Sequence, residues 1–192
     1  MAILTQTMHG LSADDAVASA RTIVAARSVV ILATRSTRGP GAIASVYLNA
    51  VLANTTMLED NTSEIYDQLR KLDERDVVIA FLGRYYDRNT MSQIAFAREH
   101  GVKLILITES PAAPFSQEAE HVLCVQMQSP GFYRSHVGTV ALVNLLLLLV
   151  GTLGDAEQQT ANLAEMQMIY DRFYYSKPLA RDGMPAGTPT DR

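Results

Sequence analysis

The chain has one cysteine in 192 residues, so no internal disulfide forms and a small fold stapled by covalent cross-links is excluded. Cys124 stands in the apolar run His121-Val-Leu-Cys-Val125, the setting of a small buried residue in a reducing compartment. An excess of basic charge is also missing. Sixteen Lys and Arg against 20 Asp and Glu leave a formal net charge of -4, which provides no footprint for a phosphate backbone, and direct nucleic-acid binding by this chain alone is not expected. Met1 to Gly10 contains no basic stretch followed by an apolar one; no secretory signal is read and a cytoplasmic location is expected. Val137 to Gly154 carries no charge but is broken by Asn144, Gly151 and Gly154, so it reads as a wholly buried helix rather than a membrane span, which needs about 20 apolar residues. Internal repeats, low-complexity blocks and the Gly-x-Ser-x-Gly nucleophile motif are absent, and no His, Cys or carboxylate pair has metal-ligand spacing. Neither a metal nor another cofactor is expected.

What is present is ordinary globular composition, 48% hydrophobic and 19% charged, in a length that suits one core. Short β-branched runs alternate with amphipathic stretches. Ser28–Ala33, Asp76–Leu82, Val102–Thr108 and His121–Val125 are nearly continuous in apolar residues, as strands buried on both faces must be, and Thr55–Leu58 is a weaker strand between the first two. Helices are expected over Ser12–Ala26, Gly41–Ala53, Asn61–Leu72, Asp87–His100 and Ser135–Leu153. Such alternation means an α/β fold: a five-stranded parallel sheet with right-handed crossovers and helices on both faces, a three-layer αβα sandwich. Ser12 before Asp15 and Asn61 before Glu64 look like capped helix starts, and Gly101 like a helix C-terminal glycine. Residues 1–154 are expected to form the domain, with its core in 12–153. An amphipathic helix carrying Leu163, Met166, Ile169, Tyr170 and Phe173 follows over 155–176. The tail 177–192, with Pro178, Pro185, Pro189, Gly183 and Gly187, is expected to be disordered.

In an open parallel sheet, ligands bind beyond the carboxyl ends of the strands. Two loops there are rich in chemistry. After the first strand, Ala33-Thr-Arg-Ser-Thr-Arg-Gly-Pro-Gly41 offers Arg35, Ser36 and Thr37 beside a helix N-terminus, a combination that can hold an anion; a solvated basic loop is the alternative. After the third, Gly83-Arg-Tyr-Tyr-Asp-Arg-Asn-Thr90 offers Arg84 and Arg88 for a phosphate and Tyr85 for a sugar, with Thr90 nearby. Asp87 would repel a phosphate and reads better as the cap of the following helix.

Val29-Val-Ile-Leu-Ala-Thr-Arg-Ser-Thr37, then Asp76-Val-Val-Ile-Ala-Phe81 with Arg84-Tyr85 and Arg88-Asn-Thr90, then Ala97-Arg-Glu-His-Gly-Val-Lys-Leu-Ile-Leu-Ile-Thr108 together resemble the sugar isomerase (SIS) domain. The likeness is strongest to the sugar-sensing half of RpiR-type bacterial regulators, and Phe132-Tyr-Arg-Ser-His136 at the start of the long apolar helix is similar to that family too. The resemblance implies a flavodoxin-like strand order and a phosphorylated sugar or related small anion as ligand. It also implies a homo-oligomer, dimer or tetramer, and places Ser135 with the site. The chain departs from the family pattern: Ala33 stands for the usual glycine, and Leu82, Arg84 and Asp87 occupy positions where phosphate-binding hydroxyls are common. The helix-turn-helix that precedes such domains in regulators is not supplied by the residues before Ser12.

An aldose–ketose isomerase needs a base and a ring-opening acid. His136, Glu109 and Glu59 lie near strand ends, yet none stands in a catalytic motif, while His9, His100 and His121 read as structural or solvated. A non-catalytic sugar-binding domain, related to the effector-sensing module of a regulator, is therefore expected, with a sugar-phosphate isomerase as the alternative. Because Ser135–Leu153 is apolar on every face, the final helix or a second copy must cover what the sheet does not.

Overall fold

The computed structural model describes residues 2–58 and 64–173. In chain order the elements are α1 (Ala2–Gly10), α2 (Ala13–Val24), β1 (Val29–Ala33), a 3-10 turn (Arg35–Thr37), α3 (Arg38–Leu52), β2 (Thr55–Leu58), α4 (Glu64–Leu69), β3 (Val77–Leu82), α5 (Arg88–Glu99), β4 (Lys103–Thr108), β5 (His121–Cys124), α6 (Val137–Leu153) and α7 (Ala156–Phe173). The five strands form one parallel sheet in the order β2-β1-β3-β4-β5, the flavodoxin-like order.

Strand periodicity explains why the central runs are apolar throughout. Val29, Ile31 and Ala33 point to one face with Val77, Ile79, Phe81, Ile105 and Ile107, under α2, α3 and α6. Val30, Leu32, Val78, Ala80, Leu82, Leu104 and Leu106 point to the other, under α4 and α5. Every residue of β1 and β3 is buried, as a strand sandwiched between two helical layers requires.

The expected boundaries hold where caps mark them. Ser12 accepts the Asp15 N–H at 3.2 Å and starts α2. Gly101, at φ +79°, ends α5 in a Schellman turn, its N–H reaching Arg98 O at 2.9 Å and that of Val102 reaching Ala97 O at 3.4 Å. The cap expected at Asn61, Glu59, the residues past Phe173 in the last helix and the whole 177–192 tail lie outside the described residues. His121 meets Thr22 Oγ1 through Nε2 at 2.9 Å, and His100 meets Phe96 O through Nδ1 at 2.9 Å, so both are held structurally.

Several features differ from the sequence reading: Cys124 is only partly buried, and α3 begins at Arg38, ahead of the expected Gly41. Residues 2–10 form a helix, α1, which packs on α6 and carries His9 on its exposed side. Helix α6 packs on α1, α2 and α3 more than on the final helix, and it is not wholly buried as expected, since Val137 and Leu148 face outward exposed. Helix α7 turns away from α6 by 119° and lies on α3, where the buried Asn162 donates its Nδ2–H to Val51 O at 2.8 Å. No single helix among the described residues is long and apolar enough to cross a membrane.

Candidate functional site

The chain leaves β1 to build β2 on one side of it and then crosses back to build β3 on the other. That reversal opens a crevice between the carboxyl ends of β1 and β3. An open cleft occupies it, lined by Thr34–Thr37 from the first loop, by Phe81–Tyr85, Asp87 and Thr90 from the second, and by Met127, Arg134 and His136 from the segment between β5 and α6. Arg35, Ser36, Thr37, Arg84, Tyr85, Asp87 and Thr90 are thus brought together. Arg88 is exposed outside the cleft, and Ser135 does not line it; the Ser135 N–H donates to Met127 O at 3.0 Å.

The first loop is built around Thr37. Its buried hydroxyl accepts the Thr34 N–H at 3.1 Å and donates to Thr34 O at 2.7 Å, closing a capping box over the 3-10 turn. Thr37 therefore shapes the wall with a hydroxyl committed to backbone. Arg35 pairs with no carboxylate among the described residues and adopts φ 51°, a left-handed conformation unfavourable for a side chain of its size. Such strain clusters at binding sites. Ser36 is exposed beside it.

The second loop is capped by Asp87, which accepts the Thr90 N–H at 3.1 Å and the Thr90 hydroxyl at 3.3 Å. The cap reading of Asp87 is the one the geometry shows, and it occupies the Thr90 hydroxyl as well. Arg84 is exposed with its guanidinium 6.0 Å from the centre of the Tyr85 ring, a cation–π contact, and its N–H groups have no hydrogen-bond partner among the described residues.

The third wall was only partly legible. Arg134, which no sequence motif singled out as a ligand residue, forms an ion pair with both carboxylate oxygens of Glu109 from the loop after β4. His136 caps α6 without a side-chain hydrogen bond to the helix backbone; its Nδ1 lies 3.5 Å from Thr139 Oγ1. Burial holds its pKa below the ordinary 6.5, an effect that the Arg134 charge reinforces and Glu109 opposes. Two buried polar atoms here have no hydrogen-bond partner, Arg134 Nε and His136 Nε2. Among the described residues no group of three or more His, Cys, Asp or Glu is placed to hold a metal.

Comparison with known proteins identifies the family and the fold. The sequence profile of the SIS domain matches residues 22–149. Among solved structures, the sugar isomerase domain of an RpiR transcription factor from Sphaerobacter thermophilus is 28% identical with a TM-score of 0.81, over 86% of this chain and 92% of that one. The NanR protein of Vibrio vulnificus in complex with ManNAc-6P shares the fold at 13% identity and a TM-score of 0.78, over 91% of this chain and 66% of that one. A Methanococcus jannaschii protein for which a 3-hexulose-6-phosphate isomerase function was inferred also shares it, at 10% identity and a TM-score of 0.61, over 78% of this chain and 84% of that one. No curated protein matches the chain by sequence.

Proposed function

The chain belongs to the SIS domain family, and on that premise we propose that it is a phosphosugar-binding domain of the effector-sensing kind found in RpiR-type regulators, working by binding rather than turnover. The observation that carries this reading is the switch-point cleft with two exposed guanidiniums, Arg35 and Arg84, that pair with no carboxylate among the described residues. Guanidiniums bind phosphate through paired hydrogen bonds, and here they take over from the hydroxyls this chain lacks at Leu82, Arg84 and Asp87. Ser36 supplies a hydroxyl and Tyr85 a ring face for the sugar. In the V. vulnificus relative the same fold is seen with ManNAc-6P, which supports a sugar phosphate as the ligand class.

Incubation with a panel of aldose and ketose phosphates tests the proposal: thermal stabilisation by at least one of them without conversion is expected, and turnover would overturn it. The second reading, a sugar-phosphate isomerase, is favoured by the proximity of Glu109 and His136 to the cleft and by the M. jannaschii relative. Against it, both Glu109 oxygens are engaged by Arg134, so the carboxylate is not presented to a substrate carbon as a base must be.

Self-association belongs to the same proposal. Val137 and Leu148 on α6 are 56% and 67% exposed, and Leu163, Met168 and Phe173 on α7 are 50%, 72% and 71% exposed, apolar side chains that a second copy would cover. A dimer or tetramer is expected, and sedimentation equilibrium at micromolar concentration showing a 21.0 kDa species would refute it.

A further inference from the structure

Helix α1 has one buried residue, Thr7, 1% exposed. Its Oγ1 accepts the backbone N–H of Gln126 at 3.0 Å, across 119 residues of sequence. Gln126 is where the chain has left β5 and begins the arm that delivers Met127, Arg134 and His136 to the cleft. The arm is closed at its base, since the Ser135 N–H returns to Met127 O at 3.0 Å. At the arm's other end, in the first turn of α6, Gly138 packs on the same threonine: a Cβ there would fall 2.3 Å from Thr7 Oγ1 and 3.1 Å from Gln126 O. One side chain of α1 therefore touches the root of the arm on both sides.

We propose that Thr7 is a positioning residue for the cleft, holding the Gln126–Gly138 arm so that Arg134 and His136 face the loops after β1 and β3. The hydroxyl matters, and not only the volume. Gln126 lies beyond the β5 ladder, and its N–H donates instead to the hydroxyl of the buried Thr7, which satisfies a backbone donor outside the sheet. Gly138 is needed because any side chain would press Thr7 away from that N–H. Helix α1, otherwise exposed or half-buried along its length, is in this way joined mechanically to one wall of the site. That this wall serves a ligand rests on the function proposed above, but the test needs no ligand, so the two can fail separately.

The test compares the full chain with Thr7→Val, Thr7→Ser and, as a change of similar burial elsewhere, Ser19→Ala, which removes a hydroxyl donating to Asp15 O in α2. Two readouts are followed, amide hydrogen exchange over 126–138 and the titration of the His136 ring by NMR. Thr7→Val is expected to speed exchange in the arm roughly fivefold, the effect of one net hydrogen bond, and to move the His136 titration up towards its ordinary value as the ring loses burial. Thr7→Ser keeps the acceptor and is expected to match the wild type in both. Gly138→Ala strains the same contact from the arm's side and is expected to reproduce both changes, which covers the case of a Thr7→Val protein that does not fold. Wild-type behaviour in Thr7→Val or Gly138→Ala would overturn the proposal. So would equal changes in Ser19→Ala, because the effect would then be general destabilisation.

Discussion

The two ends of the sheet use arginine in opposite ways. At the amino ends of the strands, Arg27 donates from Nε to Asp76 Oδ1 at 3.0 Å and pairs with Asp73 at 3.2 Å, while Arg75 pairs with Asp73 at 2.7 Å. Asp76 is fully buried and also accepts the Asp73 N–H at 2.8 Å. Hydrogen bonds from Arg75 hold the Asp73 carboxyl far below the usual carboxylate range. At the carboxyl ends, Arg35 and Arg84 have no such partners among the described residues, and the neighbouring acid, Asp87, is turned to the N-terminus of α5. The difference separates charge that holds the fold from charge available to a ligand. Arg134 stands between the two cases, at the carboxyl end but tied to Glu109.

Charge removal at the two ends should therefore give unequal results. Asp76→Ala strips a buried carboxylate from two partners and should destabilise the protein by about 3 kcal/mol in urea unfolding, whereas Arg84→Ala should stay within about 0.5 kcal/mol of wild type. Equal losses would erase the comparison. A smaller effect sharpens it within the carboxyl end: Thr37→Val removes the hydroxyl that closes the first loop and should lower stability by about 1 kcal/mol, showing a structural role for a residue that lines the cleft.

The smallest effect is on pH dependence. Burial lowers the folded-state pKa of His136 below the ordinary 6.5, so the unfolded chain binds the proton more readily. The resulting stability is complete above 6.5 and is lost as pH falls from there through the folded value. His136→Gln should flatten the fall in thermal midpoint between about pH 7 and pH 5. An unchanged slope would show that His136 does not contribute to it. Asp73 does not confuse the reading, because its contribution is lost only as pH falls below its ordinary 3.8.

The sheet was legible because both its faces are covered, which forces runs such as Val77–Leu82 and Lys103–Thr108 to be apolar at nearly every position. Ser12, Asp87 and Gly101 were legible because capping is local chemistry. Helix α1 was not, since a segment that buries a single threonine has no apolar stripe to read. The cleft was half legible. Its loops after β1 and β3 follow from the rule that ligands gather at strand ends, but which hydroxyls remain free does not, as Thr37 and Thr90 show. The pairing of Arg134 with Glu109 spans 25 residues, and no local pattern announces a contact made by the folding of two separate loops.

The central claim is that the unpaired arginines at the carboxyl ends bind a phosphorylated sugar. Titration calorimetry of the wild type, Arg35→Ala and Arg84→Ala with a panel of aldose and ketose phosphates tests it most directly. At least one sugar phosphate is expected to bind the wild type and to lose about 1.5 to 3 kcal/mol of affinity in Arg84→Ala, with a loss in Arg35→Ala as well. Binding that is unchanged in both variants would contradict the account.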